Sequence, residues 1–218
     1  MIPRDYLYMG RIQIAQGADS LGVQSLRKAY QMDTTQADVF LEIAKNSYAK
    51  QKYLAAATAY QDYFDKSHKG SLNEHLAAGL SYFYAFDQNN PKADSSLLAK
   101  ADSQFVYINR KAGSPVAEVV LQRAFIYDLK DNNRNNIQGL AKPFYEQYIA
   151  TVTAKAAQTE REKKYLAVSY AYLASIYEYK DKDDAKAAEA YNKAKEYDPN
   201  NKQVVAYFSR KPGAKTAK

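Results

Sequence analysis

The sequence predicts an all-α protein: an α-solenoid of five helical hairpins followed by a short C-terminal helix. The same residue types return five times along the 218 residues at nearly the same offsets. Within each recurrence the apolar residues follow helical spacing. Two units, residues 3–36 and 37–70, have equal length with no gap between them. A hairpin with one apolar side must stack on its neighbours to bury that side, and this favours a solenoid.

The last recurrence has the clearest pattern. Its first helix carries Tyr170, Leu173, Ala174 and Tyr177, and its second helix carries Ala187, Tyr191 and Ala194. The spacing resembles the tetratricopeptide repeat (TPR), a helix-turn-helix unit of about 34 residues. This resemblance covers about residues 3–200. It implies a solenoid wound as a right-handed superhelix, whose curved inner face binds other polypeptides.

The resemblance predicts one solenoid domain, residues 1–209, and five repeats within it. A disordered basic tail is expected at 210–218, where Lys, Pro, Gly and Ala dominate. The expected repeats are 3–36, 37–70, 72–113, 115–158 and 159–200, and the closing helix is expected at 200–209.

Polar residues and prolines predict where several helices begin. A Ser or Thr with an acidic residue three positions later is typical of a capping box, and a polar residue followed by proline is typical of a helix start. The predicted boxes are Thr35 with Asp38, Ser71 with Glu74, and Thr159 with Glu162; the predicted proline starts are Ser114-Pro115 and Asp198-Pro199.

Two repeats depart from the pattern. In the third, Ala101 follows Tyr82 by 19 positions, where about nine are expected. The excess predicts a longer connection and an extra turn on the second helix. In the fourth, Arg123 occupies a normally apolar position and Pro143 falls inside the expected second helix. Proline inside a helix costs about 3 kcal/mol, so that helix is expected to begin or kink near Pro143.

Composition limits the functional classes. The chain has no cysteine, which excludes disulfides and thiolate chemistry. No apolar run approaches the length of about 18 residues that a membrane helix needs. The net charge is +7, but five basic and no acidic residues lie from Lys202 onward, which leaves 26 basic and 24 acidic residues before it. The repeats are therefore nearly neutral, and the basic tail is the place where phosphate contacts would form.

The N-terminal repeat presents an apolar first helix, with Tyr6, Leu7, Tyr8 and Met9 in succession. Terminal repeats of a solenoid need a polar outer face. Two interpretations stay open: the chain is the C-terminal part of a longer bacterial TPR-containing protein, or it self-associates through this repeat. The compartment is undetermined, although removal of an upstream signal would favour the periplasm or cell envelope over the cytoplasm.

The sequence offers no basis for catalysis, and we expect neither an enzyme nor a cofactor or metal site. The two histidines, His68 and His75, have no cysteine or carboxylate cluster around them. Phosphate-binding loops, nucleophile elbows and zinc-protease motifs are missing from the sequence.

The resemblance implies that positions 2, 5, 9 and 12 of each repeat line the inner groove. The candidate peptide-binding residues are Leu7, Arg11, Leu41, Lys45, Tyr48, Leu76, Leu80, Phe83, Leu121 and Phe125. Some of these apolar residues would instead pack against the next repeat. One TPR subfamily clamps the terminal carboxylate of chaperones with a Lys and Asn pair, but Leu7 and Arg11 occupy the corresponding positions, which disfavours that partner.

The expected function is a non-catalytic scaffold or adaptor that binds a peptide or helix of a partner protein in this groove. Two alternatives belong to other classes. One is a component of a bacterial envelope assembly complex, and the other is a nucleic-acid-associated protein that uses the basic tail. Nucleic acid is not the favoured partner, because so little of the chain carries excess positive charge.

Overall fold

A computed structural model describes residues 1–90, 92–131 and 137–211, and the described residues form eleven α-helices. In chain order these are α1 (Pro3–Ala15), α2 (Asp19–Met32), α3 (Asp38–Ala49), α4 (Tyr53–Ser67), α5 (Leu72–Ala85), α6 (Ser96–Ala112), α7 (Ala117–Lys130), α8 (Lys142–Thr153), α9 (Glu160–Ile176), α10 (Asp184–Tyr197) and α11 (Lys202–Arg210). The helices pair in order into five hairpins, α1–α2 to α9–α10, and α11 is the closing helix. The predicted fold class is confirmed.

The chain divides into two compact units, Met1–Ile108 and Asn109–Lys218. In the first unit, the core contains Leu26, Phe40, Ile43 and Tyr60, so helices from successive hairpins contribute to one cluster. This shared cluster explains why the hairpins stack, because each one buries its apolar side against the next.

Glycines allow close approach of the two helices in a hairpin. A Cβ atom at Gly10 would lie 2.9 Å from the carbonyl oxygen of Gly22, and one at Gly22 would lie 2.8 Å from the carbonyl oxygen of Gly10. Any larger residue at either position would force α1 and α2 apart. The small residue of the repeat pattern therefore has a packing role here.

The second unit has an aromatic core. Tyr145 and Tyr148 of α8 are buried with Leu166 and Ile176 of α9. Burial raises the pKa of Tyr148 to about 12, because the charged phenolate would lose its hydration. These tyrosines therefore act as large neutral core residues.

The closing helix seals the end of the second unit. Val204 and Tyr207 of α11 are buried against Ala171 of α9 and Tyr191 of α10. The rings of Tyr191 and Tyr207 stack with centroids 4.1 Å apart. This contact gives the last repeat the apolar cover that a following repeat would supply.

Two of the three predicted capping boxes are confirmed. Ser71 Oγ accepts from the backbone N–H of Glu74, and the carboxylate of Glu74 accepts from the N–H of Ser71. The same reciprocal bonds join Thr159 and Glu162 at the start of α9.

The Thr35 box is wrong. The N–H and hydroxyl of Thr35 donate to the carboxylate of Asp33, and α3 follows Ala37 without a side-chain cap. Asp33 accepts these bonds locally, so Thr35 belongs to a turn before the helix. The pKa of Asp33 is lowered mainly by the hydrogen bond from the Thr35 hydroxyl.

Both predicted proline starts are displaced. Helix α7 begins at Ala117 rather than Pro115, and α11 begins at Lys202 rather than Pro199. At α11 the carboxamide oxygen of Asn201 accepts from two backbone N–H groups of the first turn, so Asn201 is the capping residue instead of Asp198.

The start of α8 and one cation–π contact account for the irregular fourth repeat. Helix α8 begins at Lys142, which places Pro143 in its first turn, as predicted. Arg123 is accommodated because its guanidinium stacks over the ring of Phe144, 4.6 Å from the ring centroid. The asparagine-rich run 130–136, which its polar composition predicts as the loop before α8, lies largely outside the described residues.

The third repeat has the predicted longer connection. Helix α6 begins only at Ser96, after turns closed by bonds such as Asn90 N–H to the carbonyl of Asp87. It contains 17 residues, compared with 14 in α2 and 15 in α4.

Two features of the last repeat were not predicted. Helix α9 continues into a π-helical turn, Tyr177–Asp181, which ends at Lys182 in the left-handed conformation. In addition, Arg210 ends α11, and Lys211 lies 2.7 Å from the carboxylate of Asp184. These two residues are thus held in place, whereas the tail was expected to begin at 210; residues 212–218 lie outside the described part.

Candidate functional site

The ten candidate groove residues all lie on the first helices of hairpins. In the first unit, α1 carries Leu7 and Arg11, α3 carries Leu41, Lys45 and Tyr48, and α5 carries Leu76, Leu80 and Phe83. In the second unit, α7 carries Leu121 and Phe125.

The first-unit residues are open to solvent to different degrees. Leu7 and Leu41 are half-buried and pack against the core around Phe40. Leu76, Leu80 and Phe83 are also half-buried. Such side chains retain some apolar surface for a ligand while their remaining surface supports the helix.

The two basic residues of this set differ in availability. Arg11 forms a bidentate pair with Glu42, with 2.9 Å from Nε to Oε2 and 2.5 Å from Nη2 to Oε1. This hydrogen bonding raises the pKa of Arg11 above its usual value. Arg11 therefore joins α1 to α3, whereas Lys45 is exposed on α3. Lys45 is the better candidate for pairing with an acidic ligand.

Four aromatic side chains of the first unit touch in series, and we call them the aromatic row: Tyr48, Tyr53, Tyr84 and Phe83. The ring centroids of Tyr48 and Tyr53 are 5.8 Å apart, those of Tyr53 and Tyr84 are 5.1 Å apart, and those of Tyr84 and Phe83 are 5.6 Å apart. The row connects the second repeat to the third, near the C-terminal ends of α3 and α5.

Sequence reasoning found half of this row. Tyr48 and Phe83 occupy predicted groove positions, but Tyr53 and Tyr84 do not. Tyr53 begins the second helix of its hairpin, and Tyr84 follows Phe83. Each of them follows a predicted groove aromatic within five residues in the sequence. The repeat positions alone do not identify such local clusters of aromatic residues.

Two lysines flank the aromatic row at the second repeat. The ammonium groups of Lys50 and Lys52 both bind the carboxylate of Asp19, at 3.0 Å for Lys52. The pKa of Asp19 falls to about 2, chiefly because Lys50 and then Lys52 donate hydrogen bonds to it. Two positive charges share one negative charge, so this edge retains a positive balance.

The second-unit residues are less available than expected. Leu121 is only 3% exposed. The ring of Phe125 lies between those of Tyr145 and Tyr165, with centroid distances of 6.5 and 5.9 Å. The alternative that such residues pack within the solenoid therefore describes these two side chains better than ligand contact does.

A cleft of about 350 Å³ opens beside Leu121 in the second unit. Two ion pairs line it. Arg161 lies 3.5 Å from Glu118. Lys155 binds Glu162 at 2.5 Å, and this bond is the largest cause that lowers the pKa of Glu162 to about 2. The ionic groups on both sides are thus already paired.

A second cleft of about 350 Å³ lies at the N-terminal end of the first unit and includes Arg4 and Leu7. The neighbouring side chains of Tyr8 and Ile12 are each 56% exposed. Self-association through this surface stays a prediction from the sequence.

Glu178, which the resemblance to TPR repeats also places among the groove-lining positions, is covered in the last repeat. Its side chain is 8% exposed and lies 3.3 Å from Arg210 and 3.9 Å from Lys211. The hydroxyl of Tyr191 is 3.5 Å away. The closing helix and the residue after it therefore occupy this carboxylate.

Nothing in the described part of the chain resembles a metal centre, since no group of three or more His, Asp or Glu side chains converges there. His75 is sandwiched between the rings of Phe64 and Tyr107, and its Nδ1 lies 2.7 Å from Oε1 of Gln104. This packing is typical of a structural histidine. Across the same described residues, every helix falls short of the length and apolar character needed to cross a bilayer.

The geometry agrees with a solved structure of known class. The C-terminal part of a TPR repeat-containing protein from Cytophaga hutchinsonii matches with a TM-score of 0.67 and 26% sequence identity, over 94% of this chain and 73% of that one. The present chain is therefore similar to TPR proteins in fold. A TPR protein from Thermus thermophilus gives a TM-score of 0.45 and 16% identity over 95% of this chain and 97% of that one. No protein-family model matches the chain, and no curated protein matches it in sequence.

A TPR fold generally serves as a scaffold for protein–protein interaction and carries no catalytic machinery of its own. The class of partner that the fold indicates is therefore a polypeptide.

Proposed function

We propose that this TPR protein is a non-catalytic adaptor that binds a peptide or helix of a partner protein along the first helices of its repeats. The observation that carries the proposal is on the first helices of the first unit, where Lys45 of α3 is exposed and Leu76, Leu80 and Phe83 of α5 are half-buried. A surface that combines apolar side chains with a charged side chain is suited to bind an amphipathic segment.

The second unit has a smaller part in this proposal. Leu121 and Phe125 are held by the core, so they support the shape of the surface instead of contacting the ligand. The apolar anchors of a partner would then enter mainly at α3 and α5. This modifies the expectation from the sequence, in which the apolar anchors of a partner enter near Leu80, Phe83 and Phe125.

Neither alternative function has a specific observation in its favour. Arg210 and Lys211 pair with Glu178 and Asp184, which reduces the positive charge available to a phosphate backbone. An envelope assembly role stays an expectation from the sequence.

The test is capture of partners from an extract of the source cells by the immobilised full chain. Lys45→Glu and Leu80→Glu should each reduce capture of a groove-bound partner by about tenfold or more, because a charge reversal or a buried charge replaces a favourable contact. Val106→Glu on α6 is the matched control, since Val106 is 42% exposed on a second helix.

Circular dichroism and thermal unfolding must first show that each variant is folded. Equal capture by the wild type and by both folded groove variants would reject the proposed surface. Loss with Val106→Glu alone would move the binding surface to the second helices.

A further inference from the structure

The aromatic row offers ring surface to a ligand. Tyr84 is 48% exposed, and Tyr48, Tyr53 and Phe83 are half-buried. The polar or ring groups of Tyr48 and Tyr84 already have partners within the protein. What the row presents is therefore a strip of aromatic faces and edges that contact one another in series.

A strip of this kind suits proline rings. Proline-rich segments form a preordered extended helix that docks on aromatic-lined surfaces, and their missing N–H groups leave little backbone to desolvate. Tyrosine is well suited to this contact because it supplies large rigid area at low entropic cost.

The charges around the row favour a ligand with a particular charge at each end. Lys50 and Lys52 share Asp19, and exposed Lys45 lies one helical turn before Tyr48. At the other end, exposed Asp87 follows shortly after Tyr84. The second-repeat end is therefore positive, and it favours acidic ligand residues there.

We propose that the aromatic row binds a proline-rich, acidic segment of a partner protein. The acidic residues would lie toward Lys45 and Lys52, and the prolines would rest on Tyr53 and Tyr84. This inference depends on the proposed function, because Tyr48 and Phe83 belong to the same predicted groove, and it names the chemistry of the partner.

Fluorescence polarisation with labelled synthetic peptides tests the proposal on the full chain. Peptides of repeated Pro-Pro-Glu, Pro-Pro-Lys and Gly-Ser-Glu separate the contributions of proline and charge. We expect the Pro-Pro-Glu peptide to bind about tenfold or more tightly than either of the others. Its affinity should fall with added salt, since Lys45 and Lys52 are exposed.

Substitutions then locate the site. Tyr84→Ala should weaken Pro-Pro-Glu binding by about tenfold, whereas Leu54→Ala should leave it unchanged. Leu54 is 57% exposed and lies next to Tyr53 on α4, so it controls for loss of nearby apolar area. Unfolding curves for both variants confirm that the fold is intact.

Three outcomes would overturn the inference. They are no binding of Pro-Pro-Glu, equal binding of all three peptides, or binding that Tyr84→Ala leaves unchanged. Binding of an oligosaccharide panel that Tyr84→Ala abolishes, without peptide binding, would assign the row to sugars instead. If Pro-Pro-Glu fails while Lys45→Glu still abolishes partner capture, the adaptor function stands and only this inference falls.

Discussion

Single residues decide how closely the helices of each hairpin approach. At Gly79 a Cβ atom would lie 2.6 Å from Cε1 and 2.9 Å from Cζ of Phe105, a ring that is fully buried. A buried ring in a close-packed core has little room to move. The repeat pattern predicts a small residue at this position, and the structure gives the contact that requires it.

Gly79→Ala should therefore destabilise the protein. We expect a loss of about 1–3 kcal/mol in the free energy of unfolding, because the added methyl group overpacks the contact with Phe105. Urea unfolding measures the loss. Asn73→Ala on the same helix is the control, since Asn73 is exposed and tests helix propensity alone. A Gly79→Ala variant as stable as the wild type would contradict the packing account.

Glu162 links helix capping to pH. Its pKa is lowered from 4.5 to about 2, first by the hydrogen bond from Lys155 and then by those from Thr159. A carboxylate with a lowered pKa stabilises the folded state above its unfolded pKa, and this contribution is lost as the pH falls through the folded pKa. The wild type should lose this stability between about pH 4.5 and pH 2.

Glu162→Gln should remove that dependence, because glutamine keeps the capping geometry but does not titrate in this range. Urea unfolding at a series of pH values should show a smaller slope for the variant than for the wild type across the window. Thr159→Ala is a useful companion, and should cost about 1 kcal/mol at neutral pH through loss of the cap. Identical slopes for the wild type and Glu162→Gln would refute the assignment.

At the scale of elements, α11 has the clearest separate role. It closes the last hairpin through buried Val204 and Tyr207, and Arg210 and Lys211 fix its end to Glu178. The side chains of Arg210 and Lys211 are 50% and 39% exposed. Ion pairs at the surface contribute about 0–1 kcal/mol each, so the apolar contact dominates the docking of this helix. A terminal element with few contacts is expected to open before the rest of the molecule.

Tyr207→Ala should release α11. Removal of a buried aromatic side chain costs about 3–5 kcal/mol, which exceeds the stability expected for one terminal helix. Hydrogen exchange should show faster exchange for the amides of α11, with protection in α1–α4 retained. Val205→Ala is the control, because Val205 is 50% exposed. Unchanged protection of α11 in Tyr207→Ala would show that other contacts hold the helix.

At the scale of the whole molecule, periodicity predicts which segments are helical and how they pair, because each repeat must bury an apolar side at regular spacing. Contacts between repeats could not be predicted from short sequence patterns, because the residues that meet are far apart in the chain. The pair Arg11–Glu42 joins residues 31 positions apart, and the contact of Tyr53 with Tyr84 joins two repeats. Helix starts at Ser71 and Thr159 were predictable because their bonds are local, whereas Thr35 was not because Asp33 competes for it.

The central claim is that successive hairpins of this TPR-like protein present first-helix side chains to a partner polypeptide. The most direct measurement replaces Leu80 or Val106 with a photo-crosslinking amino acid in the full chain, followed by irradiation in an extract of the source cells and mass spectrometry. We predict crosslinks to a partner polypeptide from position 80 and few or none from position 106. Crosslinks from position 106 alone, or none from either position, would contradict the account.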